Sequence, residues 1–127
     1  MKIKKIERKH QNDCWCNAIR LALNVKYETV YKDFEKFRSK DGGAYLGVIG
    51  AYLSNKGYAR IEVDISLDLA LKVYTQEGAI FSMVEKQDDD YYHMIYVKHK
   101  TIYDSIVEDE LESYLKRYKV TEVFIKE

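Results

Sequence analysis

Trp15, Ala18, Ile19, Ala22 and Leu23 recur at i, i+3, i+4, i+7 and i+8, the spacing of one face of an amphipathic helix. A second stripe of Cys14, Ala18, Leu21, Ala22 and Val25 runs beside the first, so this helix is apolar around much of its circumference and reads as a central one. Asp13 stands where an N-cap side chain is wanted. A second helix is predicted over Thr29–Ser39, with Val30, Phe34 and Phe37 inward and Lys32, Asp33, Lys36 and Arg38 outward; Lys40-Asp41-Gly42-Gly43 ends it. Leu46, Ile49 and Leu53 mark a third helix that stops at Gly57, a residue tolerant of left-handed backbone.

From Ala59 the period moves toward two. Arg60–Ile65 alternates like a strand, Leu67–Gln76 fits a short helix, and Ala79–Val84 reads as a buried strand. Glu85–Asp90 reads as a polar loop, and Tyr91–Lys98 with Lys100–Asp104 as a hairpin turning at His99. Val107, Leu111, Tyr114, Leu115 and Tyr118 then give a helix ahead of a last strand, Val120–Lys126, while Ile3–Glu7 suits an edge strand at the other end. Helices first and mostly antiparallel strands afterwards predict an α+β domain.

Composition narrows the function. The 127 residues, 46% hydrophobic and 33% charged, contain no linker or repeat, so residues 1–127 are read as a single domain with a sizeable core. Twenty-one basic residues balance twenty-one acidic ones, which removes the general attraction expected of a nucleic-acid or anionic-membrane binder. No apolar run approaches the ~18 residues of a membrane span, and the expected address is cytoplasmic. Cys14 and Cys16 are too close for an ordinary structural disulfide, so both are read as thiols.

The chemistry concentrates in Gln11-Asn12-Asp13-Cys14-Trp15-Cys16, which places a thiol on the first turn of a helix. There the dipole and the free backbone N–H groups favour a thiolate and offer donors to an oxyanion. A nucleophilic thiol needs a base and an orienting group, and the hairpin supplies His93 and Asp104. A two-residue turn at His99-Lys100 pairs Lys98 with Thr101 and sets Asp104 opposite Ile95, on the face that His93 shares; a three-residue turn would separate them. Two steps along a helix rotate a side chain by about 200°, so Cys14 and Cys16 do not serve one site, and Cys14 is nearer the helix start.

Cysteine at a helix start, then histidine on a strand, then a carboxylate on the next strand is the order found in papain-like cysteine hydrolases, which this sequence resembles. Asn12-Asp13-Cys14 with Ala18-Ile19, Tyr27 and Val30-Tyr31, together with His93-Met94-Ile95-Tyr96-Val97 and Ile102-Tyr103-Asp104-Ser105, is similar to small phage and mobile-element proteins of that fold. The resemblance implies a papain-like fold, N-terminal helices packed on a C-terminal, mostly antiparallel sheet. It further implies a peptide or protein substrate, no cofactor and no metal, with Cys14 as nucleophile, His93 as base and then acid, and Asp104 to orient the imidazole. A side-chain amide upstream of the cysteine is expected in the oxyanion hole. Gln11 is the candidate, although it stands three residues before Cys14 where five or six are usual, and Asn12 or a helix N–H are alternatives.

Two other readings follow from the same residues. Hydrolysis, deamidation and acyl transfer to an amine differ only in what resolves the thioester, and a non-catalytic peptide-binding module on this fold would use the tyrosine-rich hairpin, with Tyr91, Tyr92, Tyr96 and Tyr103. His10, Cys14, Cys16 and His93 are ligand types for zinc, but a helical Cys-x-Cys diverges. Asp88-Asp89-Asp90 reads as a solvated loop that would favour a basic substrate, and Lys40–Ala44 as a mobile loop on the substrate side.

Overall fold

The computed structural model describes residues 1–74, 78–106 and 109–127, and for 88–90 the backbone alone. Its elements, in order, are β1 (Lys2–Lys5), α1 (Cys14–Leu23), α2 (Tyr27–Asp33), α3 (Leu46–Asn55), β2 (Tyr58–Ser66), α4 (Leu67–Tyr74), β3 (Ala79–Glu85), β4 (Asp88–Lys98), β5 (Thr101–Asp104), α5 (Leu111–Arg117) and β6 (Tyr118–Lys126). The class is α+β: five helices and one six-stranded mixed sheet among the described residues, in the order β1-β5-β4-β3-β6-β2. Edge strand β1 runs parallel to β5, and every other pairing is antiparallel.

Alternation along the central strands divides the core in two. Ile80, Met94 and Phe124 face α1, α2 and α3 with Trp15, Ile19, Val30, Phe34, Ile49 and Leu53. Phe81, Met83, Ile95, Val97 and Val123 face the opposite way, against Leu67, Leu71 and Tyr114 of α4 and α5. The sheet is thus covered on both faces, which is why β3 is buried along nearly its whole length and reads as a continuous apolar run.

The hairpin of β4 and β5 turns at His99-Lys100 as its sequence predicts, with the expected register over its first three pairs, while Asp104, expected opposite Ile95, pairs with Lys5 of β1. His99 and Lys100 adopt φ values of 48° and 62°, the two left-handed positions of a tight turn, and Lys98 pairs with Thr101, Val97 with Ile102 and Tyr96 with Tyr103. Gly57 is left-handed just beyond α3, as expected.

Several boundaries differ. Helix α2 begins at Tyr27 and ends at Asp33, so Phe37 is 54% exposed rather than inward; Phe34 completes the buried stripe, and Arg38 pairs with Ala44 in a β-bridge that helix would forbid. Asn24 ends α1 in left-handed backbone, leaving Val25 outside it and exposed. Strand β4 starts at Asp88, so the polar connection is only Lys86-Gln87, and Tyr118 belongs to β6 rather than to the helix before it. Gln76 and Val107 lie outside the described residues, as do the side chains of Asp88, Asp89 and Asp90.

Candidate active site

Helix α1 begins at Cys14 because the Asp13 carbonyl accepts the first helical bonds, from the N–H groups of Cys16 at 2.9 Å and Asn17 at 3.1 Å. The amides of Cys14 and Trp15 therefore have no acceptor within the helix. The Asp13 side chain does not cap them. It is fully buried, and its Oδ2 accepts instead from the Lys9 N–H at 3.0 Å, the His10 N–H at 3.1 Å and the Tyr27 hydroxyl at 2.7 Å. Three donors outweigh one cap bond for a carboxylate withdrawn from water, and they fix the chain entering α1.

Among the described residues, Tyr96, Val97 and Lys98 of β4 are those that pair with β5, so the stretch carrying His93 lies beyond the end of these pairs, and α1 packs against this strand. His93 Nε2 bonds Asp104 Oδ1 at 2.7 Å. Cys14 lies on the same cavity wall, near enough to act on the ring, and with Nε2 engaged by Asp104, Nδ1 is the ring nitrogen left free of that bond. Burial opposes a charge on His93, yet the bond to Asp104 and the nearness of Cys14 prevail, raising its pKa from 6.5 to about 10. At neutral pH the imidazole therefore holds its second proton.

The sign of the resulting stability effect follows. A histidine whose folded pKa is raised stabilises the fold fully below its unfolded value of 6.5 and loses that contribution as pH rises through about 10. His93→Gln is accordingly expected to cost most stability near pH 6 and progressively less toward pH 10, measured as urea unfolding of both proteins across that range. A difference that widens with pH would contradict this protonation state.

Asp104 has no exposed side-chain surface, and both of its oxygens are held: Oδ1 accepts from His93 and from the Ile106 N–H at 2.9 Å, and Oδ2 accepts from the Tyr114 hydroxyl at 2.5 Å. Tyr118 lies behind His93, ring centroids 5.8 Å apart, and against Tyr114 at 5.3 Å. Neither tyrosine is marked out by sequence; an inward position in a helical stripe was the only signal for Tyr114. Cys16 is a different kind of residue from Cys14. It has no exposed surface, its Sγ faces the Tyr27 carbonyl, and burial with the nearby Asp13 charge pushes its pKa up to about 12. It is an apolar core group.

Cys14 and His93 open on a cavity of about 530 Å³. Its other wall is the loop predicted on the substrate side, with Asp41, Gly43 and Ala44 lining it. That loop is held at three carbonyls: Asn12 Nδ2 donates to Asp41 at 2.9 Å, Trp15 Nε1 to Gly42 at 3.0 Å, and the Tyr92 hydroxyl to Ala44. Gly42 has φ +91°, and a Cβ there would lie 2.2 Å from the Gln11 carbonyl oxygen, so only glycine fits. Tyr45 and Tyr91, 70% and 77% exposed, stand at the rim.

Gln11 is not brought into this cavity. Asn12 turns the chain through left-handed backbone (φ 55°) immediately before α1 and leaves the Gln11 side chain exposed. Asn12 does line the cavity, with one amide proton spent on Asp41, as do Arg8 and the buried Ser105, whose hydroxyl has no partner among the described residues. Of the oxyanion candidates that the sequence offered, Asn12 thus lines the cavity and Gln11 does not. Of the zinc-type residues, His10 instead stacks on Tyr31 with ring centroids 4.1 Å apart and faces the Tyr27 hydroxyl, and Cys16 is in the core.

No protein-family model and no curated protein matches the chain. No helix of the described residues is long and apolar enough to cross a membrane.

Proposed function

We propose that the chain is a cysteine-dependent hydrolase of papain-like fold that cleaves an amide bond in a peptide or protein through a thioester on Cys14. The observation that carries this reading is the 2.7 Å bond between His93 and Asp104 on the wall of the same cavity as Cys14, with the thiol at the head of α1.

The chemistry uses each part once. With the proton on His93, the Cys14 thiolate attacks the substrate carbonyl carbon, forming a C–S bond and an oxyanion beside the unused amides at the start of α1. Collapse of the oxyanion breaks the C–N bond as His93 gives its proton to the departing amine, leaving a thioester and a neutral imidazole. His93 then takes a proton from water, whose oxygen displaces the sulfur and releases a carboxylic acid. Asp104 keeps the ring in the orientation that serves both transfers. Tyr45 and Tyr91 at the cavity rim offer rigid aromatic surface to substrate side chains.

The test is the pH dependence of alkylation at each cysteine, read by mass spectrometry with iodoacetamide. Cys14 is expected to react near pH 6, where a free thiol of pKa ~8.5 is about 0.3% thiolate, while Cys16 stays unmodified in the folded protein. His93→Ala should slow Cys14 on the order of 10- to 100-fold at that pH; the ~300-fold gain in thiolate is discounted because a less basic sulfur is a weaker nucleophile. Equal, slow reaction at both cysteines, indifferent to His93, would remove the enzyme reading and leave a binding module.

A further inference from the structure

We propose that Tyr114 is a positioning residue of this site: its hydroxyl fixes the Asp104 carboxylate so that Oδ1 faces His93. The inference rests on the catalytic reading above and adds to it a group that touches neither the substrate nor the sulfur.

Asp104 closes β5, and without a second anchor its carboxylate could rotate about the Cα–Cβ and Cβ–Cγ bonds. The Ile106 N–H holds Oδ1, the oxygen that His93 also uses, so it leaves rotation about that oxygen open. Among the described residues the 2.5 Å bond from Tyr114 is the one that holds Oδ2, and it comes from α5, a different element from the hairpin. Tyr114 is itself 1% exposed and packed on Tyr118, so its hydroxyl has a fixed position to offer. Burial and the Asp104 charge raise its pKa, so it acts as a donor at every working pH. The carboxylate is therefore gripped at both oxygens, by the hairpin and by α5.

Among the described residues, other titratable and charged groups around His93 are few. Cys14 reaches it from α1 and Asp104 from β5; Tyr118 stands behind it on β6, with the Arg117 guanidinium 5.1 Å above the Tyr118 ring and paired to Glu85 and Asp109. None of these contacts Asp104 Oδ2 as Tyr114 does.

Losing the Tyr114 hydroxyl has two consequences of opposite sign, which makes the proposal testable. A carboxylate relieved of a donor is more basic and would hold the imidazolium more firmly, moving Cys14 alkylation to lower pH. A carboxylate relieved of its anchor turns away from His93, and the alkylation profile moves to higher pH. Positioning predicts the second outcome.

The experiment compares Cys14 alkylation by iodoacetamide against pH in wild type, Tyr114→Phe, Asp104→Asn and the double variant. Tyr114→Phe is expected to move the profile upward by on the order of one pH unit, about tenfold in rate on its rising limb. The same substitution should add nothing in the Asp104→Asn background, because it acts through that carboxylate. A downward or absent shift, or an equal shift in both backgrounds, overturns the role. Wild type behaving as an ordinary thiol that His93→Ala does not change would instead remove the catalytic reading, and this role with it. Should Tyr114→Phe not fold, NMR of the wild-type protein decides: a slowly exchanging Tyr114 hydroxyl proton that Asp104→Asn abolishes supports the grip, and a freely exchanging one overturns it.

Discussion

Cys14→Ala is expected to abolish cleavage of any peptide the wild-type protein turns over, by at least about 10⁴-fold, because removing the nucleophile leaves only positioning and the oxyanion donors. His93→Ala should cost a comparable factor, and the double variant little more than either alone, since the two residues act as a unit. Cys16→Ser is the control: its sulfur lies in the core away from the cavity, so the folded fraction should retain turnover. The measurement is turnover of a peptide library derived from digested protein, with new termini and mass changes read by mass spectrometry. The readout also separates the reactions that share a thioester: new termini mean hydrolysis, a gain of about 1 Da at glutamine or asparagine means deamidation, and a joined amine means acyl transfer. Cleavage that survives Cys14→Ala would refute the mechanism.

Trp15→Ala is expected to cost on the order of 3–5 kcal/mol of folding stability, the range for truncating a large buried aromatic side chain. Trp15 has no exposed surface, packs on Phe34 with ring centroids 4.7 Å apart, and stacks near Tyr31 at 6.3 Å. Its indole N–H also satisfies the Gly42 carbonyl, so alanine leaves a cavity and releases the loop opposite Cys14. Trp15→Phe should recover much of the packing while still leaving that carbonyl unpaired, a loss of about 1–3 kcal/mol. Urea unfolding gives both values, and a loss under about 1 kcal/mol for alanine would mean that the residue is not the pin between α1 and the 41–44 loop. Turnover by the folded fraction of either variant should fall as well, because the loop forms the far wall of the cavity.

These two effects arise from adjacent residues on successive faces of one helix turn, and that adjacency explains how much of the site was readable from sequence. Cys14 at the helix start follows from the i, i+3, i+4 pattern after Asp13, and Trp15 follows from the same pattern as a core position. His93 and Asp104 sharing a face follows from parity once the turn has two residues. A β-hairpin fixes its register through a local turn, so distant parts of the chain have little say in it.

What the sequence by itself determined were the consequences of local periodicity: the α+β order of elements, the head of α1, the hairpin and its parity, and the distinction between Cys14 and Cys16. What tertiary structure alone decided were the partners each polar group chose. Asp13 was expected to cap α1 and is held by Lys9, His10 and Tyr27 instead; Gln11 was expected in the cavity and lies outside it; Tyr114, ten residues beyond Asp104 in sequence, grips its second oxygen. The early end of α2 and the covering of the sheet on both faces belong to the same class. The physical reason is that a side chain's face is fixed by the 3.6- or 2-residue period of its own element. Its hydrogen-bond partners are fixed by which donors burial leaves within about 3 Å, and those arrive from elements that sequence spacing does not bring together.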